Sequence, residues 1–261
     1  MRKRALALLM TLCMVLSLVT PAMAAEGDVA QIGEQTYATL NEAIDAAADG
    51  ATIQLLGDAT LSTTAFPSGK TITIVGTNAS GENYTIDAKS AYLNIGGNVT
   101  FKDCTLNMYD TPNGHWMYFY MASNGSLTFD HATVNIDGSA SMNDMTTAMY
   151  FPESGTAPAD FTVKSGSNVT IQNCCGNGIS WGGSTTDRNN TIKVENSTLE
   201  ILNCAEKNNS GGGGIIGTFD IAYTNSEVTV SGNHGYGSNG SNYTIANSNV
   251  TYNNNTSHGL S

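Results

Sequence analysis

Acidic side chains are the first residues to weigh for chemistry, because most enzymes that hydrolyse sugar chains place two carboxyl groups across the bond they break. Four acidic residues of this chain lie in polar loops that adjoin short apolar runs: Asp110, Asp144, Glu153 and Asp187. The runs themselves contain no acid, and the spacing of the four follows no pattern. If the loops converged, two of these carboxyl groups would lie close enough to act as an acid–base pair. We interpret the four as solvated loop carboxylates and predict no catalytic residue.

The cysteines form a second candidate group, since Cys174 and Cys204 follow matching segments, Ile171-Gln-Asn and Ile201-Leu-Asn. In stacked strands they would lie about 4.8 Å apart, within the Cα range of a disulfide. Side chains stacked in register point the same way, so we favour a ladder of buried thiols and keep a bridge as the alternative. The Cys and His spacings do not resemble a zinc site, and no calcium-loop spacing occurs, so we predict no metal and no cofactor.

Aromatic residues supply the one positive indication of binding. Each repeat described below has a third apolar run, in which one residue is expected to face the core: Met117, Met149, Ile179 and Ile215. Strand alternation then turns an aromatic row outward: Trp116, Tyr118, Tyr120 and Tyr150. Exposed aromatic rings can stack on the apolar faces of sugars. The alternatives are that loops cover this row or that its residues belong to the core.

A short motif recurs six times between residues 98 and 255 and must position these side chains. Each copy consists of two alternating apolar/polar runs joined by a residue that tolerates left-handed backbone: Asp103, His131, Gly166, Asn196, Asn225 and Asn247. The next residue is always small: Cys104, Ala132, Ser167, Ser197, Ser226 and Ser248. A constant motif with uneven spacing indicates one coil per repeat, with insertions confined to loops.

With the third run, each repeat supplies three short strands, which stacked on the next repeat make a parallel β-helix. We predict an all-β fold of about eight such coils. An antiparallel sandwich is the alternative, but its hairpins would favour Asn-Gly or Asp-Gly turns.

The beginning of the chain divides into two parts. Residues 1–24 have a basic start, an apolar stretch and an Ala22-Met-Ala24 ending, which predict a cleaved signal peptide and a secreted or cell-surface protein. Residues 25–50 contain a helix predicted over 39–50, with a Thr39–Glu42 capping box, that covers the end of the solenoid. Residues 51–261 form the β-helix, which we expect to be truncated at its C-terminus.

Charge restricts the partners. The chain has a net charge of −12, and removing Arg2, Lys3 and Arg4 with the signal peptide leaves seven basic against 22 acidic residues, a charge of −15. Nucleic acid and anionic membranes are poor partners for such a surface, because phosphate binding needs Lys and Arg, and we predict no nucleic-acid partner. No segment after residue 24 is apolar enough to insert into a membrane.

The stretch from Thr36 to Leu56, followed by the Asn-Ser bends, resembles secreted right-handed parallel β-helix proteins of the pectin-lyase-like superfamily. It is most similar to adhesin-like surface proteins of Gram-positive anaerobic bacteria. The resemblance covers nearly all of residues 25–261 and implies a right-handed solenoid. It implies little about chemistry, because that superfamily holds lyases, glycosidases and adhesins.

The function expected from the sequence is a non-catalytic surface module that contacts polysaccharides or host surface proteins through its long face. The alternative is a carbohydrate-active enzyme, a polysaccharide lyase or a glycoside hydrolase. Lyases of this superfamily would need cations for an acidic sugar, whereas Arg188 is the only arginine after residue 24. A structural spacer without a ligand is a third interpretation. The identity of the ligand, the oligomeric state and the means of anchoring stay open.

Overall fold

A right-handed parallel β-helix follows a short capped entrance. The computed structural model describes residues 27–110, 115–140, 145–153, 157–183, 189–205 and 212–260. The predicted signal peptide, Asp144, Asp187 and Arg188 lie outside these ranges. The entrance consists of an antiparallel hairpin, β1 (Ala30–Ile32) and β2 (Gln35–Tyr37), and the helix α1 (Leu40–Ala46).

Eight successive coils follow; the first seven each contribute one strand to each of three sheets, and the eighth contributes strands to two of them. Coil 1 contains β3 (Ala51–Leu55), β4 (Ala59–Thr60) and β5 (Thr64–Phe66), and coil 2 contains β6 (Thr71–Val75), β7 (Thr85–Asp87) and β8 (Leu93–Ile95). Coil 3 contains β9 (Asn98–Lys102), β10 (Thr105–Met108) and β11 (Met117–Met121), and coil 4 contains β12 (Ser126–Asp130), β13 (Thr133–Asp137) and β14 (Thr147–Phe151). A 3₁₀ turn, Gly138–Ala140, follows β13.

Coil 5 contains β15 (Asp160–Lys164), β16 (Asn168–Gln172) and β17 (Ile179–Trp181). Coil 6 contains β18 (Thr191–Glu195), β19 (Thr198–Leu202) and β20 (Gly213–Ile216), and coil 7 contains β21 (Asp220–Thr224), β22 (Glu227–Ser231) and β23 (Tyr236–Asn239). Coil 8 contains β24 (Asn242–Ala246) and β25 (Asn249–Asn253), and Leu260 makes a parallel bridge to Ser238. The predicted coil number and three-strand coil are therefore confirmed.

The strands of successive coils pair in register. Sheet A has ten strands in the order β2-β1-β3-β6-β9-β12-β15-β18-β21-β24, sheet B has eight (β25-β22-β19-β16-β13-β10-β7-β4), and sheet C has seven (β23-β20-β17-β14-β11-β8-β5). Among the described strands, pairing is parallel throughout the coils and antiparallel at the entrance hairpin, and an isolated antiparallel bridge joins Thr77 to Asn83 in coil 2. The antiparallel sandwich is thus excluded.

The bend between sheets A and B has the backbone that the repeated motif predicted. All six bend residues have positive φ, from 49° at Asp103 and Asn196 to 81° at Gly166. The small residue after the bend is buried in coils 3 to 7, and in coils 5 to 7 it is a serine. A serine at this position can pair buried backbone groups: the Ser226 hydroxyl donates to the Thr224 carbonyl at 2.8 Å and accepts from the Ser197 amide at 3.3 Å. The stacked serines therefore supply hydrogen bonds to the backbone of the buried turns.

A second column of left-handed bends, between sheets B and C, was not predicted. Asn173, Asn203, Gly232 and Asn254 have φ between 53° and 68°. The residue after each bend again points inward. Two of these positions are cysteines and two are asparagines, and the Asn233 side chain accepts from the Cys204 amide at 2.8 Å.

The helix α1 confirms the predicted cap but ends earlier than expected. Thr39 accepts from the Glu42 amide and Glu42 accepts from the Thr39 amide, which completes the capping box. The helix stops at Ala46, because the next residues bond to coil 2 instead: Ala47 O accepts from Lys70 Nζ and Asp49 Oδ1 from the Thr71 amide. Its buried face joins the solenoid core. Within the described residues, no helix is long and apolar enough to span a membrane.

Candidate functional site

Aromatic side chains gather on the outer face of sheet C, across coils 2 to 4. Tyr120 pairs with Asn94 on one side and with Tyr150 on the other. The Tyr120 ring centroid lies 6.4 Å from Tyr92 and 6.2 Å from Tyr150. Since neighbouring strands belong to neighbouring coils, these three rings follow one another along the axis of the solenoid.

Two further rings enlarge the group. His115 stacks on Tyr92, with centroids 3.6 Å apart and ring planes 12° from parallel. Trp116 meets Tyr150 at 4.6 Å and 66°. Trp116 is 37% exposed, whereas the other four rings are half-buried. We call these five residues, Tyr92, His115, Trp116, Tyr120 and Tyr150, the aromatic surface.

Tyr118 does not belong to it, which corrects the predicted row. Its side chain has 0% exposure, and its hydroxyl has no hydrogen-bond partner. Tyr118 directly precedes Phe119, and the residues that precede the strand partners of Phe119 in the next coils are Ala148, Gly178 and Gly214.

That column of residues faces the core. A Cβ added to Gly178 would overlap Ile201, and one added to Gly214 would overlap Val230, both core side chains of sheet B. In coils 3 to 6, two consecutive residues in or just before the sheet C strand therefore point inward, and simple alternation fails there; in coil 2 the equivalent residue is Tyr92, which is half-buried on the outer face. Along this column the inward side chains become smaller, from tyrosine through alanine to glycine, so the space available inside the solenoid decreases. Burial raises the pKa of Tyr118, as expected for a phenol inside the core.

The core assignments of the third strand need a smaller correction. Met149, Ile179 and Ile215 pair with one another and are buried, as predicted. Met117 pairs with Thr147, and Phe119 takes the position across from Met149. The predicted alignment of Met117 was therefore displaced by two residues. A shift of two residues preserves the inward–outward alternation of a strand, so the sequence pattern gave no sign that Met117 was misaligned.

The Tyr92 and Tyr150 phenols of the aromatic surface are uncharged near neutral pH. Desolvation, with a smaller contribution from Tyr120, raises the pKa of both Tyr92 and Tyr150 above the usual 10.0. The Glu153 charge raises the pKa of Tyr150 further. Their hydroxyls can donate hydrogen bonds, and their ring faces can stack on a ligand. Asn94 Oδ1, beside Tyr120 in the sheet, is buried without a partner.

Of the four loop carboxylates, the structure describes only Asp110 and Glu153. Asp110 lies 3.6 Å from Lys89 Nζ as an exposed ion pair. The described strands of sheet C contain no Asp or Glu. In the described part of the chain, no three His, Cys, Asp or Glu residues are grouped so that they could hold a metal ion. The arrangement found on this face is suited to stacking and hydrogen bonding.

The four described cysteines are free thiols, as the ladder interpretation predicted, and Cys174 and Cys204 are both fully buried. The pKa of Cys174 is raised mainly by a hydrogen bond with Cys204 and, to a smaller extent, by desolvation. Burial raises the pKa of Cys104 to about 12. Cys104 and Cys174 are therefore poor nucleophiles at neutral pH, since the thiolate is the reactive form.

The sequence missed two members of the aromatic surface, Tyr92 and His115. Tyr92 directly precedes β8 in coil 2, and this coil comes before the six copies of the motif. His115 lies in a loop, where no period assigns a direction to a side chain. Because Leu93 pairs with Phe119, Tyr92 takes the same register position as the inward-pointing Tyr118, so strand alignment alone does not assign Tyr92 to the outer face, and only the folded loop brings His115 to it.

Fold and site together define a parallel β-helix solenoid with an aromatic outer patch. No family model, no curated protein and no solved structure matches this chain.

Proposed function

We propose that this protein is a non-catalytic surface module that binds glycans through the aromatic surface. The observation that carries the proposal is the grouping of five rings on the outside of sheet C, where Trp116 is 37% exposed. Large aromatic groups on a soluble surface indicate a contact site. Aromatic rings combined with phenol hydroxyls suit sugars, whose rings have apolar faces and hydroxylated edges.

The cellular setting is part of the same proposal. The N-terminal pattern of residues 1–24 supports export. The resemblance of residues 36–56 supports an adhesin-like protein of the pectin-lyase-like superfamily, displayed at the cell surface. A strongly acidic chain with few basic residues is a poor partner for polyanions. We therefore favour polysaccharides over nucleic acid or anionic membrane as the partner.

Binding to a glycan array and mobility in polysaccharide gels test the proposal. We expect the wild type to bind at least one glycan, and Trp116→Ala or Tyr150→Ala to bind it more than tenfold more weakly. Truncating an aromatic anchor typically costs roughly 2 kcal/mol of binding free energy, and about 1.4 kcal/mol is tenfold in Kd.

Tyr109→Ala is the matched control. Tyr109 is 39% exposed and its hydroxyl donates to Asp87 Oδ2 at 3.0 Å, outside the aromatic surface. Its removal should leave binding unchanged. Failure of the wild type to bind any glycan would refute the proposal, as would equal binding by the Trp116 and Tyr150 variants.

The same panel tests the enzyme alternative. Reducing ends should stay constant when the protein is incubated with each polysaccharide, because a binding module breaks no bond. Release of reducing sugar that is lost in Glu153→Gln would instead identify a carbohydrate-active enzyme with a loop carboxylate in its site.

A further inference from the structure

We infer that the ligand of the aromatic surface is a positively charged glycan, one that bears protonated amino groups. This inference rests on the proposed function and specifies the class of sugar. Three observations carry it: the mutual inclination of the rings, the distribution of charge around sheet C, and an unpartnered acceptor beside Tyr120.

The rings do not form a flat platform. Trp116 and Tyr150 meet at 66°, and Tyr120 is inclined to Tyr150 by 45°. A neutral sugar stacks best on a flat face. Inclined rings form a corner instead, in which the edge of one ring contacts the face of the other, and a compact cation can bind against the ring faces that this contact leaves free. Tryptophan is the best of the aromatic side chains for this interaction, and Trp116 is the most exposed of the five.

The fixed charges of the described residues around the aromatic surface also favour a cation; among the five rings the one ionisable base is His115. Three described lysines lie on the strands of sheet A: Lys102, Lys164 and Lys193. Lys70 bonds to the Ala47 carbonyl at the entrance, and Lys89 pairs with Asp110. The described strands of sheet C carry no basic residue. Glu153 acts electrostatically on Tyr150, and its carboxylate is a negative charge beside the corner.

An acceptor is also present next to the rings. Asn94 pairs with Tyr120 across the sheet, and its side-chain oxygen is buried without a partner. An unsatisfied buried oxygen draws donors, because leaving it unpaired costs free energy. A protonated amine is a donor of three hydrogens with no acceptor of its own. An acetamide N–H can also donate to the Asn94 oxygen, but it supplies one hydrogen where the protonated amine supplies three.

Gly182 makes the corner possible. A Cβ on Gly182 would overlap the Tyr150 hydroxyl, so the tyrosine lies over the backbone of coil 5 where only glycine leaves room. Gly182 has no positive φ, so an alanine there strains no backbone. Gly182→Ala should therefore shift the Tyr150 ring without deleting any aromatic side chain.

The test compares two ligands with one backbone, a β-1,4-linked glucosamine tetramer and its N-acetylated counterpart, by isothermal titration near pH 6. We expect the glucosamine tetramer to bind at least tenfold more tightly, and this preference to shrink as salt rises. Trp116→Ala and Gly182→Ala should weaken its binding at least fivefold. Glu153→Gln should weaken the glucosamine tetramer only, and Glu34→Gln, on the distant entrance hairpin, should change neither ligand.

The outcomes separate this inference from the proposed function. Equal or tighter binding of the N-acetylated tetramer, or of any other uncharged glycan, overturns the positive-charge inference and leaves glycan binding intact. Binding of glucosamine that is unchanged in Trp116→Ala shows adsorption to an acidic surface and also overturns it. Failure of every glycan to bind refutes both. Circular dichroism of each variant confirms that the β-helix is retained.

Discussion

At the scale of single residues, the solenoid distinguishes inner from outer positions sharply. Phe119 and Tyr118 are adjacent and both fully buried, whereas Tyr120 emerges onto the outer face. The inner positions include thiols and phenols that would ionise in water at alkaline pH. Burial of these groups makes the free energy of unfolding depend on pH, because the unfolded chain can ionise groups that the folded chain keeps neutral.

Cys104 shows the effect with a defined pH window. Its thiol pKa rises from 9.0 to about 12 on burial, first by desolvation and then by the Asp103 charge. A raised folded pKa contributes stability that is complete below pH 9 and is lost as pH rises toward 12. In that window the wild type should lose about 1.4 kcal/mol of unfolding free energy per pH unit more than Cys104→Ala.

Urea titrations of both proteins between pH 8 and pH 11 measure this difference. Alanine fits at this position, since Ala132 occupies the equivalent place in the next coil. All other ionisable groups are common to both proteins, so their contribution cancels in the difference. Parallel curves across the whole range would contradict the prediction.

At the scale of elements, the left-handed bend is the device that turns one strand into the next. Six bends between sheets A and B and four between sheets B and C have positive φ. Each replaces a hairpin by a corner, so that the following strand continues in parallel with its counterpart in the next coil. The side chain at the bend also bonds along the stack, as Asn225 Nδ2 does to Asn196 Oδ1 at 3.2 Å.

Substitution at Asn225 tests the conformational requirement. With φ of 50°, the residue is left-handed, a conformation that costs most L-residues about 1–2 kcal/mol. Asn225→Val should lower the free energy of unfolding by at least this amount, since β-branched residues fit the region worst. Asn225→Gly loses the same side-chain bond to Asn196 but accepts positive φ, and it should be within about 0.5 kcal/mol of wild type. Denaturant midpoints that are equal for the two variants would rule out the bend as the cause.

At the scale of the whole molecule, stability is distributed along a stack in which each coil contacts its neighbours. In coil 4, Leu127 and Phe129 of β12 are fully buried. In coil 8, Ile245 of β24 is 48% exposed and Tyr243 is only half-buried. The core is therefore well closed in its middle coils and loosely closed at coil 8.

Hydrogen exchange should follow this gradient. Amides of β24 and β25 open at lower free energy than those of β12 and β13, because fewer apolar atoms cover them. We expect them to exchange roughly a hundredfold faster. Peptide-resolved exchange monitored by mass spectrometry gives the comparison. Uniform protection from coil 4 to coil 8 would mean that the solenoid opens as one unit and not coil by coil.

The sequence by itself determined the bends between sheets A and B, the number of coils, the helix cap and the inner residues of sheets A and B. These features depend on local backbone preference and on the two-residue period of a strand, both properties of a short segment. Only the tertiary structure decided that Tyr118 turns inward, that Tyr92 and His115 join Trp116, Tyr120 and Tyr150, and that α1 ends at Ala46. The reason is physical: at a corner of the solenoid, the direction of a side chain is set by the room that the adjacent coil leaves. That room depends on residues distant in sequence, such as Ile201 and Val230 behind the narrowing column of Tyr118, Ala148, Gly178 and Gly214.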